Sequence, residues 1–266
     1  MKRQTLAVVA ALMVAAAANA QDQPKQDPPK IVRFSPDGAG PWSQGNGTTK
    51  TFYYYKSTSD PRLATGVWAS NEPGGKLRTA AFTEFIHILE GSVVFEDKAG
   101  KETTFKAGDS VVIPRGTEFA WKKSNHMKEY WVIFDRQAEG VAPPQGTPMF
   151  YKLSPEGPVG KGLTPNKNGR TKEHEYFAGA DGSSVGVWET KPNTSADFHQ
   201  TKYAELMLFL SGTVTLSTPE GQVERFTAGE VALVPKGIRY KWSGDTVRKF
   251  WVIFDAQATA APPTGR

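Results

Sequence analysis

The chain has no cysteine in its 266 residues. That excludes a disulfide staple and any lipid attached through a cysteine, so the fold must stand on its hydrophobic cores. Charge of one sign is also missing. Setting aside Lys2 and Arg3, 30 basic residues face 27 acidic ones, a balance of +3. So small an excess, scattered singly or in pairs such as Lys122-Lys123 and Arg248-Lys249, argues against a nucleic-acid partner. No segment carries a sustained apolar stripe at helical spacing, no Ser-His-Asp arrangement is apparent, and Gly45-Asn-Gly47 is a turn signal rather than a phosphate cradle.

Long hydrophobic runs are absent except at the N-terminus. There Lys2 and Arg3 precede an apolar stretch from Leu6 to Ala18 that closes with Ala18-Asn-Ala20. A basic start, a short apolar run and small residues form the pattern of a cleavable secretory signal, and the run is shorter than the roughly 20 residues that span a bilayer. Residues 1–20 are therefore read as a signal peptide, the mature chain as secreted and periplasmic, and no membrane span is expected in it. Residues 21–30, polar and rich in Pro and Gln, read as a disordered arm, and residues 259–266 as a flexible tail.

What is present is a duplication. Glu84-Phe-Ile-His-Ile-Leu-Glu-Gly91, Ala107-Gly-Asp-Ser-Val-Val-Ile-Pro-Arg-Gly116, Trp121 and Trp131-Val-Ile-Phe-Asp135 are answered, at an offset of roughly 121, by Glu205-Leu-Met-Leu-Phe-Leu-Ser-Gly212, Ala228-Gly-Glu-Val-Ala-Leu-Val-Pro-Lys-Gly237, Trp242 and Trp251-Val-Ile-Phe-Asp255. Phe34-Ser-Pro-Asp-Gly38 recurs as Leu153-Ser-Pro-Glu-Gly157, and Gly66-Val-Trp68 as Gly186-Val-Trp188. Two domains are expected, residues 31–147 and 148–258. Short apolar runs bounded by Gly, Pro, Asp and Asn recur about every eight to twelve residues, the pattern of an all-β sandwich or barrel. Expected strands in the first repeat are Thr51–Lys56, Thr65–Ser70, Thr83–Glu90, Val93–Asp97, Ser110–Pro114, Thr117–Lys122 and Glu129–Phe134. Alternation puts Glu84, Ile86 and Ile88 on one face of their strand and Phe85, His87 and Leu89 on the other; Glu205, Met207 and Phe209 oppose Leu206, Leu208 and Leu210. Both faces are mostly apolar. One is expected to line a barrel and the other to pack on the sister repeat or on a second subunit, so a homodimer is a possible partner.

These motifs resemble those of the cupin superfamily, specifically tandem two-cupin proteins similar to ureidoglycine aminohydrolase and the ethanolamine-utilisation cupins. The family's two motifs, Glu-x6-Gly and Gly-x5-Pro-x-Gly, occur at Glu84–Gly91 and Gly108–Gly116, then again at Glu205–Gly212 and Gly229–Gly237. The resemblance implies an all-β fold of two tandem jelly-roll β-barrels. It implies no single function, because the scaffold hosts enzymes, binders and storage proteins. Metal-dependent members place His-x-His before the Glu and a third His after the second motif. In the first repeat those positions hold Arg78, Ala80 and Phe119, and in the second His199, Thr201 and Tyr240 beside Glu205. The ureidoglycine aminohydrolase pattern, Glu-x-His-x3-His with a later Gln, is not met either.

The expectation is therefore no cofactor, with a divalent transition metal on His199 and Glu205 as the alternative. A small polar ligand is expected in the second barrel, bound by His199, Glu205 and Tyr240, with Glu84 and Arg78 as ligand-binding candidates in the first. The alternative is an enzyme, a lyase, isomerase or hydrolase, with Glu205 or His199 as general base and Tyr240 as proton donor. Each candidate also has a structural reading: Arg78 as the ion-pair partner of Glu84, Tyr240 as a cap on the barrel mouth, and Trp68, Trp121, Trp188 and Trp242 as core anchors rather than an aromatic platform. A purely structural or oligomerising protein is the third possibility.

Overall fold

The structure, a computed structural model, describes residues 30–45, 48–57, 60, 63–71, 74–123, 126–134 and 147–256. The expected signal peptide and tail, nearly all of the arm, and the linker up to residue 146 lie outside the described residues. Every paired strand is antiparallel, and no described residue is helical.

In the second repeat a sheet runs in the order Val231–Val234, Ala204–Ser211, Val247–Phe254, Ser184–Thr190, Thr171–Ala178. It faces a smaller sheet of Asn193–Thr194, Arg239–Gly244, Thr213–Ser217 and Val223–Thr227. The first repeat is built alike, except that its two walls join through one continuous strand, Thr83–Asp97, where two had been expected. The turn between walls explains the glycine of the first motif. Gly91 and Gly212 adopt φ values of +78° and +81°, and a Cβ there would lie 1.8 Å from the His126 carbonyl oxygen or 2.1 Å from that of Thr246. Only glycine accepts both the left-handed backbone and the passing chain.

Three apolar cores result. Ile86, Ile88, Phe95, Phe105, Val111 and Phe119 fill the first barrel; Met207, Phe209, Leu216, Phe226, Val234 and Trp242 fill the second. The third lies between the barrels and joins Phe85, Val112, Val132 and Phe134 of one repeat to Leu206, Leu208, Leu233 and Val252 of the other. The outward faces of the two-sided apolar strands thus cover each other within one chain. His87, on that face, is partly buried with Nδ1 2.9 Å from Ser110 Oγ.

The repeats also exchange their opening arms. Val32–Arg33 pairs with Val231–Val234 of the second barrel, and Tyr151–Lys152 pairs with Ser110–Ile113 of the first. Ile31 enters the core of the second barrel, and its amide donates a 2.9 Å hydrogen bond to Gln222 Oε1. Arg33 forms ion pairs with Glu224 and Glu230, and Lys152 mirrors it with a 2.9 Å pair to Asp109. Buried Asp255 adds a polar tie, accepting hydrogen bonds from Tyr55 (3.0 Å) and Ser57 (2.9 Å).

Because one core spans both repeats, Phe85→Ala is expected to cost about 3–5 kcal/mol in urea denaturation while keeping a single transition. Two resolved transitions, or clean separation of the repeats by limited proteolysis, would contradict this coupling.

Candidate functional site

The second barrel holds a cavity of about 470 Å³, lined among others by His199, Glu205, Tyr240 and Lys249. That volume lies in the range of small-molecule sites. Glu205 points inward from Ala204–Ser211, as Met207 and Phe209 do. Lys249 points inward from the neighbouring strand, and its Nζ donates to Glu205 Oε1 at 2.6 Å, both residues being almost fully buried. The lysine crosses the indoles of Trp188 and Trp242, with Nζ 5.2 and 5.4 Å from their ring centroids. Such a pair offsets its desolvation by mutual attraction and by the electron-rich aromatic faces.

His199 lies opposite Tyr240 in strand register, and their rings stack obliquely with centroids 4.4 Å apart. Thr201, at the second histidine position of the metal pattern, is already engaged. Its hydroxyl donates to the Pro235 carbonyl at 3.0 Å and accepts from the Gly237 amide at 3.1 Å, holding the turn of the second motif. Trp251 donates to Ser184 Oγ at 3.1 Å and lies so flat on Gly186 that a Cβ there would meet its ring at 2.2 Å. Arg170, Lys191, Glu173 and Glu175 also line the cavity, and burial raises both of those carboxyl pKa values above the ordinary range.

Glu84 and Arg78 occupy the first barrel and do not join this cavity. Burial pushes the Glu84 carboxyl up to about 7, eased only in part by the charge of Arg78. No direct ion pair joins the two among the described residues; the Arg78 guanidinium instead lies 5.2 Å from the centroid of the Phe119 ring. Glu129, opposite Ile88 in register while Glu84 lies opposite Ile133, is almost fully buried, and its carboxyl pKa is raised well above the ordinary range by burial and by the Glu84 charge.

A metal ion fits neither barrel well. In the second, the carboxylate that would hold it already carries an ammonium, and among the described residues no group of three or more His, Cys, Asp or Glu is arranged around a common point.

Comparison with known proteins decides the family. The model of the EutQ-like cupin domain matches residues 58–130 and again 177–251, more than half of the chain. The chain belongs to the EutQ-like cupin family. It is a two-domain cupin, and solved structures agree in fold. A protein of unknown function of the DUF861 family from Pseudomonas syringae pv. tomato superposes with a TM-score of 0.67 at 19% identity, covering 85% of this chain and 100% of that one. A cupin 2 conserved barrel domain protein from Leptotrichia buccalis gives 0.59 at 11% identity, over 87% and 99%. A 98-residue stretch is also 34% identical to a protein named endoribonuclease YbeY from Myxococcus xanthus, over 34% of this chain and 32% of that protein. This cupin spans about a third of that relative's length, and no activity is carried over from it.

Two buried charges escaped the sequence reading. Glu129 and Lys249 occupy equivalent places, each two residues before the repeated Trp-Val-Ile-Phe. A charged residue of inward parity in an otherwise apolar strand was the signal available for both.

Removing one partner of the buried pair leaves the other uncompensated. Lys249→Met should therefore lose about 3–5 kcal/mol in urea denaturation, and the double variant Lys249→Met/Glu205→Gln should recover most of it. Strictly additive losses would show that the pair does not act as one unit. A second expectation concerns pH. Folding favours protonated Glu84, so its stabilisation is complete below the ordinary value of 4.5 and lost as pH rises through about 7. His87, depressed to about 4 by burial, acts in the opposite direction between there and 6.5. Glu84→Gln should consequently gain stability relative to the parent between pH 5 and pH 8, read as the difference of their melting temperatures; a constant difference would contradict the raised carboxyl.

Proposed function

We propose that this cupin binds a small polar molecule in its second barrel, against His199, Glu205, Tyr240 and Lys249, and that it does so without a metal. The observation that carries the reading is the cavity of about 470 Å³ whose inner wall includes the closed Glu205–Lys249 pair. Lysine fills on Glu205 the electrostatic role that a cation fills in metal-dependent relatives. Its ammonium has three N–H bonds, one of which goes to Glu205, so it also suits a ligand bearing an acceptor oxygen. The aromatic walls Trp188 and Trp242 suit an apolar portion of the same ligand. We place the protein in the periplasm on the basis of residues 1–20.

The second reading is a lyase, isomerase or hydrolase using Glu205, His199 and Tyr240, and the stacked His199–Tyr240 pair in the cavity favours it. Against it, a carboxylate engaged by an ammonium at 2.6 Å is poorly placed to take a proton from a substrate.

Elemental mass spectrometry of residues 21–266, purified without chelator, tests the metal-free reading, and a metabolite screen by thermal shift tests binding. The expected result is a metal-free folded protein with a ligand whose thermal shift is lost in Glu205→Gln and reduced in His199→Ala. Near-stoichiometric manganese, iron, nickel or zinc that disappears in Glu205→Gln would overturn the reading, and substrate turnover lost in that variant would replace binding by catalysis.

A further inference from the structure

The two barrels share three walls of one constellation and differ in the fourth. In the second barrel Trp188, Trp242 and Glu205 surround the Lys249 ammonium. In the first, their counterparts Trp68, Trp121 and Glu84 are all present. Trp68 and Trp121 meet edge to face at 5.8 Å, and Trp188 and Trp242 do so at 5.7 Å. The strand registers match as well, Glu129 lying opposite Trp68 as Lys249 lies opposite Trp188. Where the second barrel carries an ammonium, the first carries a second carboxyl group.

Buried polar atoms are unsatisfied in both barrels, the Trp242 indole N–H in the second and two atoms in the first. Glu129 is 4% exposed, and its Oε2 has no hydrogen-bond partner. Two residues along the same face, the Trp131 indole N–H has none either. Its counterpart Trp251 donates to Ser184, whose place is taken in the first barrel by Ala64. Buried polar atoms without partners are costly and uncommon in native folds, and here two lie on one inward face.

We propose that the first barrel binds the ammonium group of an external alkylamine, held by Glu84 and Glu129 between Trp68 and Trp121, in the position that Lys249 fills in the second barrel. Charge complementarity supports this class of ligand. The charge of Arg78 acts on both carboxyl groups; with both carboxyls ionised these three groups sum to −1, which one ammonium neutralises. An ammonium also stabilises both carboxylates at once, and the indoles add attraction for a cation. The site is independent of the reading of the second barrel.

Isothermal titration of the full mature chain with n-butylammonium chloride at pH 8, with butyrate and n-butanol as controls, tests the proposal. The expected result is one site per chain for the amine and none for the controls. Glu129→Gln, which keeps shape and removes charge, should weaken binding about tenfold or more. Glu129→Lys, which supplies a tethered ammonium, should abolish binding and raise the melting temperature; should that variant not fold, Glu129→Gln with an unchanged circular dichroism spectrum carries the test. Absence of amine binding to the parent, or amine binding unaffected by Glu129→Gln, would overturn the proposal.

Discussion

The apolar seam between the two barrels is the constraint on which the rest depends. Strands such as Ala204–Ser211 carry apolar side chains on both faces, and a barrel interior can bury only one of them. Leu206 and Leu208 need a second cover, as do Phe85, Val132 and Phe134, and each set is the cover for the other. Neither repeat could keep its shape alone without exposing this face to water. The exchanged arms reinforce the seam, since each barrel's sheet is completed by a strand that the other repeat supplies.

With the outer faces sealed, the barrel interiors are where polar chemistry can reside, and burial makes every charge there expensive. The two barrels meet that demand differently. The second closes a carboxylate with an ammonium of its own and keeps a cavity around the pair. The first buries two carboxyl groups, Glu84 and Glu129, whose pKa values burial raises, the Glu84 charge adding to the rise at Glu129. Identical aromatic walls therefore enclose opposite electrostatics, and the difference rests on one strand position, Glu129 against Lys249.

Much of the fold was legible before any coordinates. The glycines of the first motif recur in both repeats, and the structure supplies the reason in the backbone that passes within contact of Gly91 and Gly212. The strand expected to run to Pro114 ends one residue earlier, at Ile113, and its counterpart ends at Val234, just before Pro235. Of the candidate site, His199, Glu205 and Tyr240 were found by their motif positions, and they do share one cavity. Lys249 was passed over as half of a scattered basic pair with Arg248, although only Arg248 of the two faces outward, to Glu156 and Glu189. The structural reading of Arg78 as the ion-pair partner of Glu84 is not met by a direct pair; the guanidinium lies over Phe119.

By itself the sequence determined the number of repeats, the all-β class, the turns and the inward or outward parity of each strand residue. These are local properties: a period of two, a glycine at positive φ and a proline without an N–H act within a few residues. Tertiary structure alone decided which surface covers the outer faces, which barrel receives each opening arm, and that Lys249 meets Glu205. Those outcomes depend on register between strands far apart in the chain, 44 positions for Glu205 and Lys249, where no local periodicity reaches.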